Sequence, residues 1–533
     1  MKRREHEDED ERAEDGEPED DGAAEDEPGD EGPGDEAMAE ERVAAARRAR
    51  RERGRERRSR KRWRRPRVPP GERGPAAALG VAMVFSAFLI LFETRGTTFF
   101  NDEFILFQRF EGDFSFETIL MPFNGHLIAL GSLIFEGGLN LFGPETLFFK
   151  LVGIASLWGL AALLYAYLRR LLPVWLAVVP ALIILFLGSS WEVLLWPMSN
   201  INTCLSLGAG LAALMAVERE RGRGDVVACV LLAIGLLAGT YAIAFLVGAA
   251  VSIAAHPHRL GRAWVVLVPL TLYAAWWIWA QSFDQGGSVE LVNAWLIPSF
   301  SLDSLAVVLA AMSGLAASLT GQGSNPTIAI EEGWGQVLAV AALVGLGWRL
   351  TRGRMPPGFW PAVAALLTYW ALISLGFGVT RTPDESRYIL PGVVLFALVA
   401  GNALSGVRLP RPAAIAVAAV TVVAITTGIR QLHDGGLFLR NYSERAQATL
   451  AGLEAAPNPD PRYVPRFDPA IADIVPSQLT ITAGPYLEAA REFGSPGFSA
   501  KELRKENEFV QAIADRVRVA VIADEAGVEP PAP

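Results

Sequence analysis

Long apolar runs recur in this 533-residue chain from just after Arg73 to about Arg430, separated by short polar stretches. An apolar run of about 20 residues, wound as a helix, crosses about 30 Å of hydrocarbon. Many such runs in series predict an all-α polytopic membrane protein. The pattern predicts about eleven transmembrane helices between residues 73 and 430.

Charge is placed unevenly around those runs. Overall the chain is 51% hydrophobic and 20% charged, with a formal net charge of −10 that comes from its acidic head. The first forty or so residues are nearly all Glu, Asp, Gly, Pro and Ala, too poor in apolar side chains to offset chain entropy. They also lack the apolar core of a signal peptide. Residues 1–72 are therefore expected to form a disordered acidic-then-basic cytoplasmic tail. Its basic part, "RRARRERGRERRSRKRWRRPR", lies against the first membrane helix. That position favours a topogenic collar binding anionic lipids over a nucleic-acid site. The two cysteines, Cys204 and Cys229, sit in apolar runs without a partner at metal-ligand spacing.

The basic collar puts the N-terminus in the cytoplasm. Helices at about 76–94, 146–168, 174–188 and 201–217 then alternate, and each inner loop carries arginine. His126 to Phe142 reads as a helix along the interface. The stretch 226–254, interrupted by "AGTYA", reads either as a tight hairpin or as one tilted span. Arg259 and Arg262 favour the hairpin, and 303–320 then lies at the outer face without crossing. Further spans fall near 335–348, 359–378, 388–404 and 412–429. Residues 431–533 then form a C-terminal extracytoplasmic helical segment, with amphipathic helices either side of a Gly-Ser-Pro-Gly break.

Under this topology the unusual polar residues gather outside. The first outer loop carries Asp102, Glu103, Asn124 and His126, and Lys150 opens the next helix. "SSWEVLLWPMSN" adds Glu192 between Trp191 and Trp196. "TRTPDESRYILPG" adds Arg381, Asp384, Glu385, Arg387 and Tyr388. Each has a plainer role: helix-capping acids, an Asn cap beside His126, a snorkelling Lys150, tryptophans in an aromatic belt. Together they suit a lipid phosphate carrying a sugar. Arg387 and Lys150 are placed to pair with phosphate oxygens. Cations that stabilise a departing phosphate replace a general acid, and a carboxylate activates the acceptor hydroxyl. Displacement from the opposite face inverts the anomeric centre.

An Asp-Glu pair directly after the first membrane helix resembles the acidic motif of the GT-C class of membrane glycosyltransferases. "NGH" is similar to an Asn-x-His element of some bacterial relatives, and "ESRYILPG" to their Arg-Tyr segment near the donor phosphate. The resemblance covers about residues 76–430 and extends to the dolichyl-phosphate-mannose-protein mannosyltransferase-like superfamily. It implies a polyprenyl-phosphate sugar donor and an extracytoplasmic reaction at a bacterial plasma membrane. The acceptor is an envelope glycan, lipid or protein. Asp102 is then the base, Glu103 a supporting acid or acceptor ligand, and Arg387 the donor-phosphate contact. Tyr388, Lys150 and Arg381 share the phosphate side, while Asn124, His126 and Glu192 touch substrate. No cofactor is firmly implied and a divalent cation is left open, although no second His or carboxylate falls at a ligand spacing from His126. A transporter or lipid flippase, and a non-catalytic assembly scaffold, are the alternatives. The first predicts ionisable groups at mid-membrane and repeated broken helices.

Overall fold

A computed structural model of the chain describes residues 73–533, except 113, 220–221, 284–290, 321–326, 331–333, 377–380, 408, 466–480 and 526–533. The described residues belong to one compact unit, Gly71–Pro533. The expected disordered tail, 1–72, with its anionic-lipid collar, lies outside them.

The described residues are mostly helical. In chain order the main helices are α1 (Arg73–Glu93), α2 (Asp102–Arg109), α3 (Ala129–Phe142), α4 (Thr146–Leu168), α5 (Val174–Leu185), α6 (Trp191–Leu195), α7 (Pro197–Val217), α8 (Gly222–Ala238) and α9 (Ala242–Ala254). They continue as α10 (Trp264–Ala280), α11 (Ile297–Ser313), α12 (Trp334–Thr351), α13 (Phe359–Leu375), α14 (Ser386–Ala403), α15 (Arg411–Glu454), α16 (Ala483–Phe493) and α17 (Glu508–Glu525). Three one-turn helices, Phe116–Leu120, Arg259–Arg262 and Ala500–Leu503, complete the set. Six of the helices are long and apolar enough to cross a membrane, or seven if the bent pair after Pro173 is one span. Four shorter apolar helices, α3, α9, α10 and α13, accompany them. The chain is thus a multi-pass helical membrane protein.

Several sequence expectations change in detail. The stretch 226–254 is two helices, α8 and α9, divided at Gly239–Tyr241. The run 303–320 is not one element. Gly314, at φ +77°, ends α11 in the left-handed conformation that glycine adopts freely. An antiparallel hairpin of β1 (Ala316–Thr320) and β2 (Thr327–Ile330) follows. With the 3-10 turn before it, Leu291–Ser313 is long enough to cross. "SSWEVLLWPMSN" is not a solvated loop: Gly188–Leu195 bends by 43° from α5 and packs inside the protein. Trp191 and Trp196 are accordingly buried, at 0% and 7% exposure, and not belt residues.

The boundary expected at 430 falls within α15, a single helix of 44 residues. Its second half and the tail helices grip the first loop. Ser443 accepts the Thr98 amide at 3.1 Å, Gln108 accepts the Thr482 amide at 3.0 Å, and Glu492 accepts the Gly112 amide at 2.8 Å. Phe107 packs on Tyr486 and Phe493. The expected break after Phe493 is present, with Gly494 at φ +94°. The C-terminal segment is therefore packed around the loop that carries Asp102.

Close approach of small residues seats α15. A Cβ at Gly188 would run into the Gly428 carbonyl, and one at Gly428 into the Phe186 carbonyl. Backbones meet this closely only where side chains are absent. Gly428→Ala is expected to lower stability by about 1–3 kcal/mol, seen as a lower melting temperature in detergent. Gly137→Ala, where a Cβ meets open space, serves as the control that should not fall.

Candidate active site

The site begins with two tight turns. Phe100–Glu103 closes through the Glu103 amide on the Phe100 carbonyl at 3.0 Å, and the Phe104 amide bonds the Asn101 carbonyl at 3.0 Å. Asn101 sits at φ 40°, ψ −101°, close to the first central position of a type II′ turn, which favours glycine. Asp102 follows at once and starts α2. The second turn is Phe123–His126, closed by amide–carbonyl bonds of 3.0 and 2.8 Å. Asn124 and Gly125 have φ of 48° and 76°, the positive pair that makes Asn-Gly the preferred type I′ sequence. Asn124 is thus a turn residue and not the helix cap that its position implied, since α3 starts only at Ala129. From that turn its side chain hydrogen-bonds Asp102.

These turns open onto a cavity of about 860 Å³, within the usual range for ligand sites, about 300–1,000 Å³. Asp102, Asn124, His126, Arg381, Arg387 and Tyr388 all line it. Residues nearly three hundred positions apart therefore border one hollow. Its remaining walls include Trp196, expected in an aromatic belt, and Tyr241, Tyr273, Trp277 and Tyr369, whose place at a site the sequence pattern does not mark. The one visible signal was polar: Thr240 and Tyr241 interrupt an apolar run. Among the described residues no group of three or more His, Cys, Asp or Glu is arranged to hold a metal ion.

The other expected site residues sit elsewhere. Glu103 does not line the cavity. Its carboxylate accepts the Phe100 amide at 2.9 Å and the Met198 amide at 3.1 Å, tying the first loop to the start of α7. Lys150 does not reach the cavity either. Its Nζ donates to the carbonyls of Thr94 at 2.7 Å and Thr97 at 3.5 Å, just beyond α1. The ammonium is thus held against the chain just beyond α1, away from the residues that line the cavity. Glu192 lies behind Arg387: it accepts the Arg387 amide, while its own amide donates to the Ser386 hydroxyl at 3.2 Å. Ser190 donates to the Ser386 carbonyl at 2.7 Å. Together α6 and its preceding turn hold the first turn of α14, where Arg387 sits. Glu385 approaches the Arg387 guanidinium at 3.9 Å, and the guanidinium lies 5.5 Å from the Tyr388 ring centre. Tyr369 donates to the Tyr388 carbonyl at 2.8 Å.

Lys150→Met tests the reassignment. Removing hydrogen bonds from a charged donor should cost about 1.5–3 kcal/mol of stability. The loss should appear as a lower melting temperature in detergent, whereas a side chain free of structural partners would leave it unchanged.

No protein-family model and no curated protein matches this sequence. Two solved structures of ArnT from Cupriavidus metallidurans are similar in part. The one bound to undecaprenyl phosphate matches at TM-score 0.44 and 12% identity, the apo one at 0.46 and 15%. Each match covers 78% of this chain and 88% of that chain. Both scores lie below the level at which likeness alone establishes a shared fold, so the residues of the cavity carry the functional reading.

Electrostatics in and behind the cavity wall are set by burial. Burial raises the Asp102 carboxyl, against the pull of Arg387 and the Asn124 hydrogen bond. Burial likewise pushes Glu103 up to about 7, opposed by the Phe100 and Met198 amides, and Glu385 up to about 7, opposed by Arg387. His126 is lowered to about 4 by burial and by the nearby cations Arg381 and Arg387, so it is a neutral imidazole near pH 7. Its Nδ1 lies 3.4 Å from the Thr240 hydroxyl. The stability consequences oppose one another. The Glu103 contribution is full below about 4.5 and lost as pH rises through about 7. The His126 contribution is full above about 6.5 and lost as pH falls through about 4.

Proposed function

We propose that the protein transfers a sugar from a polyprenyl-phosphate donor to an envelope acceptor by a single inverting displacement. The observation that carries this reading is the shared cavity: a raised carboxylate and two guanidinium groups border one aromatic-walled hollow. Asp102 takes the proton of the acceptor hydroxyl as its oxygen attacks the anomeric carbon. The bond from that carbon to the phosphate oxygen breaks, and the electron pair leaves with the phosphate. Arg387 and Arg381 stabilise the departing charge. A carboxylate raised by burial is a better base than one in water, provided it is ionised at working pH. Neutral His126 and Asn124 remain as hydrogen-bonding groups beside the base. Tyr388 presents its ring to the Arg387 guanidinium, 5.5 Å from the ring centre.

In this reading the cavity opens to the extracytoplasmic side of a bacterial plasma membrane, with the N-terminus in the cytoplasm. The acceptor is a glycan, lipid or protein of the envelope. The test is reconstitution in liposomes with a radiolabelled polyprenyl-phosphate sugar and envelope acceptors. A covalent glycosylated product, with the anomeric configuration inverted, supports the reading.

One observation favours a second reading. The break between α8 and α9, at Gly239–Tyr241, borders the same cavity, and broken helices around a binding site mark transporters. Label that crosses the liposome membrane without any covalent product would select transport.

A further inference from the structure

The backbone immediately before Asp102 is strained. Asn101 holds φ 40° and ψ −101°, a conformation costly for any residue with a Cβ. Such a conformation persists only where its surroundings over-determine it. Two supports are visible. Glu103 closes the turn from inside, through the Phe100 amide at 2.9 Å. The other support comes from the C-terminal half of α15. The Asn101 amide donates to the Tyr442 hydroxyl at 3.1 Å, and Tyr442 is 2% exposed. The Tyr442 ring packs edge-on against Phe100, with centroids 4.7 Å apart. Phe100 is further enclosed by Trp196 and Phe438.

We propose that the C-terminal segment is part of the catalytic apparatus and that Tyr442 is a positioning residue, holding the strained Asn101 so that Asp102 enters the cavity in a working direction. The proposal rests on Asp102 being the base. It assigns the segment a purpose beyond covering the first loop: residues more than three hundred positions downstream set the geometry of the reacting carboxylate. The hydroxyl bonds the amide of the strained residue itself, and Asp102 is the next residue along. A change at Asn101 therefore rotates Asp102 directly.

Two readouts test it on the full-length protein. The first is amide hydrogen exchange of segment 98–104, which needs no substrate. Tyr442→Phe keeps the ring stack and removes only the acceptor, so the Asn101 amide should exchange at least about tenfold faster. The second is transfer kinetics in two backgrounds. In the native sequence, Tyr442→Phe should lower kcat about tenfold or more, with donor KM within about twofold. Glycine adopts positive φ without steric cost, so in an Asn101→Gly background the same change should cost less than about threefold. Unchanged exchange, or equal kcat losses in the two backgrounds, overturns the proposal, because the hydroxyl would then not act through Asn101. Faster exchange in a protein that transfers no sugar to any acceptor keeps the support of the turn. It would remove the catalytic purpose together with the transferase reading.

Discussion

Asp102→Asn is expected to lower sugar transfer by about 10²- to 10⁴-fold, the usual contribution of a positioned general base. Melting temperature and affinity for polyprenyl phosphate should stay close to wild type. The substitution preserves shape and removes the proton acceptor. Asn124 still finds an oxygen to bond at position 102, so the turn loses little. The neighbouring change behaves in the opposite way. Glu103→Gln places an amide group where two backbone amides, those of Phe100 and Met198, both require an acceptor. One buried donor is left unsatisfied, at about 1–3 kcal/mol, and the loss appears first in stability. Transfer measured beside thermal unfolding separates the two carboxylates. If Asp102→Asn transfers at the wild-type rate, Asp102 is not the base. The pH profile gives a second check. Because burial raises the Asp102 carboxyl, activity should fall as pH drops through a raised carboxylate range. His126→Gln should leave that acid limb in place, since the imidazole is lowered to about 4.

Arg387→Gln should lower kcat/KM for the lipid-phosphate donor by about 10²- to 10³-fold, as when one electrostatic stabiliser of developing charge is removed. Lysine at the same position should recover only part of the loss. It supplies charge without the planar fork that meets two phosphate oxygens. Binding of bare polyprenyl phosphate should weaken in parallel, because the phosphate is the shared group. The substitution also leaves Glu385 and Glu192 beside an uncharged residue, so stability needs to be measured alongside. Full donor binding and transfer in the folded glutamine variant would exclude Arg387 from the phosphate site.

Parts of this arrangement were readable from local patterns. Apolar length and polar punctuation show where α1, α4 and α7 lie, because a bilayer demands helices of a minimum span. The interruption at Gly239–Tyr241 was visible as polar residues inside an apolar run. Asp102 and Arg387 stood out as charges at the rims of apolar segments, and both border the cavity. Lys150 and Glu192 stood out for the same reason and do not. Nothing local distinguishes a rim charge that meets a substrate from one that satisfies carbonyls or braces another side chain. Lys150 meets Thr94 and Thr97, some fifty residues upstream, and that pairing exists only once α1 and α4 are packed.

The adjacent acids show the limit most clearly. Successive residues on a helix point about 100° apart, so Asp102 and Glu103 had to face different surroundings. Which one would face the cavity was undetermined until α7 brought the Met198 amide to Glu103. What the chain alone determines is its class, a multi-pass helical membrane protein with charged residues at the span ends, because hydrocarbon imposes that pattern locally. Which charges do chemistry is decided by tertiary packing, because a side chain's role depends on the partner that distant segments deliver to it.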